Sequence, residues 1–434
     1  MEKSLQQYID LYDQHSELIC SHAPQAMNRL RDAARQELTR GGLPKKGSEN
    51  YEITDLGAML APDYGLNIAR IPLEVNVADT FRCGVPHLST SLFFLLNNKW
   101  GEAKNARLNL PDGVEIGPLS RYMKDIPDVG ERYGSLASMS NPIVALNTML
   151  VQEGIFIRVR KGVRLTRPLQ IVDILDNAMP LMAVRRMLIV MEEDSEAQIL
   201  ICDHTSSQNH PMCGLTVTEV FAGAGSRLDV YGLEESGGDT NRLAALYLQQ
   251  EERSDVLIDS ITLNNGRTRN EFHCKFCGTG ARLRLYGMGI EDGDKVIDNY
   301  SRIDHSVPEC FTEELFKYII DDDARGAFTG RIYVAPGATG TEAYQSNRNL
   351  LGSDKARVFS KPQLEIYNDD VKCSHGSATG RLDAMQLFYL RSRGLDEEEA
   401  RLLLKQAFMA DVIHGIRLPA LKDRITALVA RRIL

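Results

Sequence analysis

From Gly154 onward the chain is a long series of short alternating runs with turns between them and hardly any helix signal. The runs include Phe156 to Val159, Leu169 to Ile174, Met187 to Met191, Gln198 to Cys202, Thr216 to Phe221 and Arg227 to Tyr231. They continue through Leu243 to Leu248, Val256 to Leu263, Glu271 to Phe276 and Arg282 to Tyr286. So many strands without a helix leave a sandwich, a barrel or a solenoid. A repeat narrows the choice. Polar or glycine turns at Asp194, Gly223, Glu252 and Gly278 are followed by apolar residues at Ile199, Leu228, Val256 and Leu283. Their separations are 29, 28 and 27 residues. A near-constant period in this range, with strand content, predicts a parallel β-helix whose coils stack on one apolar stripe.

The flanks have a different character. Residues 1–150 read as a helical and mixed α/β region, 151–380 as the β-helix core, and 381–434 as a helical domain. Leu5, Tyr8, Ile9 and Tyr12, then Met27, Leu30 and Ala34, fall at helical spacing up to about Arg40. Gly41 and Gly42 stop that pattern, and a polar, turn-rich segment runs to Leu56. Between Asn76 and Leu150, strands are predicted at Phe81 to Cys83 and Ala106 to Leu110, and helices at Ser120 to Tyr133 and Pro142 to Leu150. At the other end, Arg381 to Arg393 predicts a helix capped by Gly394. Asp396 and Glu399 form a capping box for the next helix, with Ala400, Leu403, Leu404, Ala407, Phe408 and Val412 on one stripe. Pro419 opens a last helix with Leu421, Ile425 and Leu428 inward. Such a tail must bury its stripe, against its own body or against a partner protein.

At 434 residues the chain exceeds one ordinary core. Its 43% hydrophobic and 25% charged content is that of a globular protein, and no apolar run reaches the length of a membrane span. The first ten residues carry polar and acidic side chains where a secretory signal needs an apolar centre. The expected location is the cytoplasm, with the eight cysteines as thiols. A net charge of -9 argues against a nucleic-acid binder.

The chemistry-bearing stretch is Pro362 to Gly380. Leu364 and Ile366 alternate with Glu365 and Tyr367, Asn368 to Asp370 form a turn, and a second strand sets Val371, Cys373 and His375 on one face. A thiol beside an imidazole suits iron, zinc, copper or a sulfur intermediate. Other candidates read as structural. Cys274 and Cys277, after His273, have no second pair and point to opposite faces of a strand. Cys202, His204, His210 and Cys213 flank a solvated turn. Gly337 to Thr341 lacks the lysine of a phosphate loop, so no ATP hydrolysis is expected. Asp321, Asp322 and Asp323 read as a turn between coils.

Several segments, in order along the chain, resemble the SufB/SufD family of iron–sulfur cluster assembly proteins of the SUF system. They are Gly42-Leu43-Pro44 through Glu49, Tyr51, Thr54, Asp55 and Leu56; Val144 to Thr148; and Gly154 to Gly162. Asp304-His305, Gly326 to Val334, Tyr344 to Leu351 and Phe388 to Gly394 continue the match, with Pro362 to Gly380 the signature stretch. Gly376 follows His375 where the SufB type has Glu, so the chain is similar to the SufD type. The resemblance implies a right-handed parallel β-helix between helical ends. It implies a non-catalytic scaffold subunit paired with SufB through the β-helix edge. The ATPase SufC is expected on the C-terminal helices, and a homodimer is possible for the isolated chain. It carries over Cys373 and His375 as the pair that meets a transient iron–sulfur cluster at the subunit interface, with no other tightly bound cofactor. A rival from another class is a β-helix carbohydrate-active enzyme using Asp321 to Asp323. Against it stand the absent secretion signal and an aromatic content of 7%, low for a sugar platform.

Overall fold

The computed structural model describes residues 2–71, 91–101, 110–206 and 210–433. The predicted strand at Phe81 to Cys83, and the one at Ala106 to Leu110 apart from its last residue, lie outside these. The N-terminal region supplies helices α1 (Lys3–Ser21), α2 (Gln25–Asn28), α3 (Arg31–Gly41), α4 (Leu56–Leu60), α5 (Leu119–Asp125), α6 (Pro127–Arg132) and α7 (Pro142–Leu150). It also supplies β1 (Ser91–Leu96), β2 (Lys99–Trp100) and β3 (Val114–Pro118), three strands the alternation does not announce.

Two sheets then build a flattened solenoid. The first run of strands is β4 (Gly154–Val159), β5 (Leu169–Leu175), β6 (Leu181–Met191), β7 (Glu196–Thr205), β8 (Met212–Ala222), β9 (Arg227–Glu235), β10 (Thr240–Gln250) and β11 (Asp255–Asn264). It continues with β12 (Arg267–Phe276), β13 (Arg282–Glu291), β14 (Val296–His305), β15 (Phe311–Ile320), β16 (Arg325–Val334), β17 (Thr341–Leu351), β18 (Arg357–Ile366) and β19 (Val371–Gly380). From β4 onward the even strands pair in parallel with one another, and from β5 onward the odd strands do so in the second sheet, while β3 adds to β4 antiparallel and β1 to β5 in parallel. The chain therefore makes one strand in each sheet per coil, as a β-helix requires. A coil takes between 26 residues, Asn241 to Arg267, and 32, Arg325 to Arg357.

The register corrects the repeat in one detail. Leu228, Val256 and Leu283 do stack as consecutive rungs. The rung below Leu228 is Ala197, and Ile199 pairs with Val230, two residues further along the same face. Both rows line the buried interior. Corners close tightly where coils stack: a Cβ on Gly278 would sit 1.9 Å from the Glu252 amide nitrogen, which leaves room only for glycine. Asp194, Arg253, Glu309 and Asp322 take positive φ at other corners.

Each outer face has its own cover. The N-terminal helices and α7 pack on the even sheet around Cys213, Leu215, Val217, Leu243, Ala245 and Tyr247. The polar segment after Gly42 crosses the same face: the Tyr51 hydroxyl donates to Glu271 at 2.9 Å, Thr54 bonds Asp298, and Glu52 meets Lys361 at 3.4 Å. The C-terminal helices α8 (Ala384–Ser392), α9 (Glu397–Gly415) and α10 (Pro419–Ile433) follow the solenoid, and α9 and α10 cover the odd sheet. The capping box is present, with Glu399 N donating to Asp396 at 2.8 Å. The predicted stripe of α9 splits in two. Phe408, Met409, Val412 and Ile413 pack toward the sheet, while Leu403, Leu404 and Ala407 line a groove shared with α8.

Candidate functional site

The solenoid ends on β18 and β19, whose outer edges pair with no further strand among the described residues. The row Leu283, Thr312, Ala343 is completed by Cys373, and the row Leu285, Glu314, Gln345 by His375. Side chains two apart on β19 thus continue the two interior rows to the open end. Cys373 is half-buried against the apolar interior and His375 is exposed. Burial pushes the Cys373 thiol up, in part offset by the backbone hydrogen bond at Ala343, so the free site holds a thiol. The His375 ring meets the Pro362 carbonyl across the opening, Nδ1 to O at 3.1 Å. A carbonyl accepts only, so Nδ1 carries the hydrogen, and in the neutral tautomer this contact selects, Nε2 is the acceptor. Ser377 donates or accepts with Ser360 at 2.7 Å, tying the two last strands together. The strand does not stop at Gly376; it runs through to Gly380.

The remaining sequence candidates are dispersed. Cys274 is buried in the interior, and Cys277 lies beyond the end of β12. Cys202 packs on the outer face of the odd sheet and Cys213 on that of the even sheet, so the two do not gather. Asp321 to Asp323 form a solvated corner, with Asp322 accepting from the Gly293 amide at 3.0 Å and Asp323 beside Lys355 at 3.3 Å. Among the described residues no group of three or more His, Cys, Asp or Glu side chains could hold a metal ion. A two-ligand rung at an open edge would need further ligands from outside this chain.

Below the rung, the interior turns polar. Glu314 accepts from the Gln345 amide at 2.6 Å, Asn349 donates to Asn347 at 2.8 Å and to Thr379 at 3.1 Å, and His305 meets Thr312 at 2.9 Å. The alternation of the strands did not reveal these groups, because it marks which face is inward but not that inward residues are polar. The signal is in the residue types: inward Glu314 and Gln345 replace the aliphatic Ile258 and Leu285 of earlier coils, while Asn347 and Asn349 follow Phe316 and Tyr318.

Comparison with known proteins accounts for this architecture. A model of the SufBD protein N-terminal region matches residues 2–171, and one of the SUF system FeS cluster assembly SufBD core domain matches 174–408. The chain belongs to the SufBD family. Among relatives of this family, the Escherichia coli iron–sulfur cluster assembly protein SufD is 27% identical, over 99% of this chain and 97% of that protein. A SufBD family protein of Synechocystis is 27% identical over 90% of this chain and 87% of its own length. SufD of Bacillus subtilis is 26% identical over 74% of each chain. The SufBD core match spans most of the solenoid and ends within α9, so the open edge and α8 fall inside it. Among the described residues, no helix of this SufBD protein is long and apolar enough to cross a membrane.

Proposed function

We propose that this SufBD protein is a non-catalytic scaffold subunit of the SUF system, and that a nascent iron–sulfur cluster is assembled where its last coil meets a SufB-type sister subunit. The observation that carries the reading is the last rung itself: a thiol and an imidazole lie side by side at an unpaired strand edge, the imidazole with a free Nε2. Edge-to-edge pairing with a second solenoid would cover that edge and supply the missing ligands. Iron and sulfide are the cargo, and Cys373 and His375 are this chain's contribution to holding them.

A SufC-type ATPase is proposed to dock on the helical tail. Met385, Phe388, Tyr389 and Leu403 are exposed there, and Met385, Tyr389, Leu390, Leu403 and Leu404 line a shallow apolar groove. Lys317, buried on β15, bonds the Phe408 carbonyl at 2.7 Å and Asp411 at 2.5 Å, so α9 is fastened to the same sheet that carries Cys373 and His375. Movement of the tail on ATP hydrolysis then has a mechanical route to the open edge. Co-expression with the sister subunit and the ATPase tests the reading: a stable three-component complex is expected. Failure of this chain to co-purify with either would refute it.

A further inference from the structure

Three stacked rungs at the open end of the solenoid form a polar column above an apolar floor. Glu314 lies opposite Ser301, Gln345 opposite Gly330, and His375 opposite Pro362, with each set directly above the last. Leu285 and Phe272 close the column from below. Gly330 leaves room for it, since a Cβ there would come within 2.3 Å of the Gln345 amide nitrogen and push that side chain away. The Glu314 carboxyl is buried at 1% exposure. One oxygen takes the Gln345 hydrogen bond; the other has no partner, the Ser301 hydroxyl standing near without reaching bonding geometry. Among the described residues no cation pairs with it: the titratable groups on or near it are Cys274 from β12, Tyr318 on its own strand, His305 from β14 on Thr312, and His375 two rungs above.

We propose that Glu314 is a proton-linked counter-charge for a cation held at the open end, with Gln345 as the residue that positions it. This rests on the reading of His375 as a ligand. Burial raises the carboxyl to about 7, against the partial pull of Ser301 and Gln345, so without a cation it is largely protonated below that pH. When a divalent cation binds Nε2 of His375, Glu314 releases its proton to solvent and becomes the carboxylate that the cation favours. Two rungs at about 4.8 Å each put the charges about 10 Å apart, where the attraction at an effective dielectric of about 20 amounts to roughly a tenfold gain in affinity per unit charge.

The test uses the full chain, alone and with its co-expressed sister subunit, and Co²⁺ as the probe. Affinity is measured from pH 5 to 8 for the wild type, Glu314→Gln, Gln345→Leu and His375→Ala, with infrared difference spectra to follow the carboxyl. The wild type is expected to lose a protonated-carboxyl band on cobalt binding. Glu314→Gln should lack that band change and bind about a hundredfold more weakly at pH 8, two unit charges at roughly tenfold each, with the gap closing toward pH 5. Glu291→Gln, another buried carboxyl outside the column, should leave the profile unchanged. If His375→Ala abolishes binding while Glu314→Gln matches the wild type at every pH, the counter-charge is overturned and the ligand stands. If the wild type binds no cobalt in either form, the ligand reading falls and this inference with it.

Discussion

Nδ1 of His375 and the carbonyl oxygen of Pro362 lie 3.1 Å apart, spanning the mouth of the solenoid from β19 to β18. Pro362 has no amide hydrogen, and a proline is tolerated here because β18 is an edge strand. The contact fixes the ring and leaves Nε2 facing outward at the exposed edge. Nitrogen-15 NMR of histidine-labelled protein should therefore find His375 as the Nδ1–H tautomer when neutral. A dominant Nε2–H form would contradict the geometry.

A second carboxyl is buried without compensation. Asp259 lies in register between Tyr231 and Tyr286 on the outer face of the odd sheet, under the C-terminal helices, with both oxygens unpartnered. Burial raises it to about 8. An unfolded Asp ionises near 3.9, so this group costs nothing below about pH 4, and stability falls as pH rises from there to about 8. Asp259→Asn should raise stability at pH 8 by on the order of a few kcal/mol, with the gain vanishing toward pH 4. Chemical denaturation at several pH values reads this directly, and an equal gain at all pH values would contradict it.

Lys317 and Asp411 hold α9 to β15 at 2.5 Å. Lys317 lowers the Asp411 value, so the pair's contribution is present above the unfolded Asp range and is lost as pH falls through the lowered one. Asp411 is about half exposed, which discounts the pair to about 1 kcal/mol. Lys317→Met should cost little in fold, because the methionine fills the same buried space without a charge. Asp411→Ala should cost more, by leaving a buried ammonium with only the Phe408 carbonyl. Denaturant midpoints of the two variants give the comparison.

The exposed face of α8 is expected to matter for partner binding and not for stability. Phe388 is 68% exposed and Met385 73%. Phe388→Glu should leave the melting temperature within a degree or two. It should reduce co-purification of the ATPase severely, while retention of the sister subunit is unaffected. Loss of both partners together would place the damage elsewhere.

The solenoid is legible because its physics is local and repeated: Leu228, Val256 and Leu283 recur at a spacing set by the coil, Cys373 ends that row beyond Thr312 and Ala343, and His375 ends the neighbouring row of Leu285. The two-residue offset at Ile199 arises because Ala197 is small and does not announce itself as a core residue. The apolar stripe of α9 divides between two neighbours for a related reason. Helical spacing marks apolar residues but not which neighbour each meets, so Leu403 and Val412 were placed together although one meets α8 and the other the sheet. The polar column was invisible for a stronger reason: Glu314 and Ser301 meet only through the register of two different sheets, a relation no linear pattern contains.

The most direct test of the account is the iron and sulfide bound by the anaerobically reconstituted three-component complex, compared among wild type, His375→Ala and Cys373→Ala. His375 is exposed and Cys373 half-buried at an edge, so both variants should fold and assemble normally. The account predicts that His375→Ala complexes carry little or no cluster and that Cys373→Ala complexes carry less than wild type. Wild-type cluster content in a correctly assembled His375→Ala complex would contradict it.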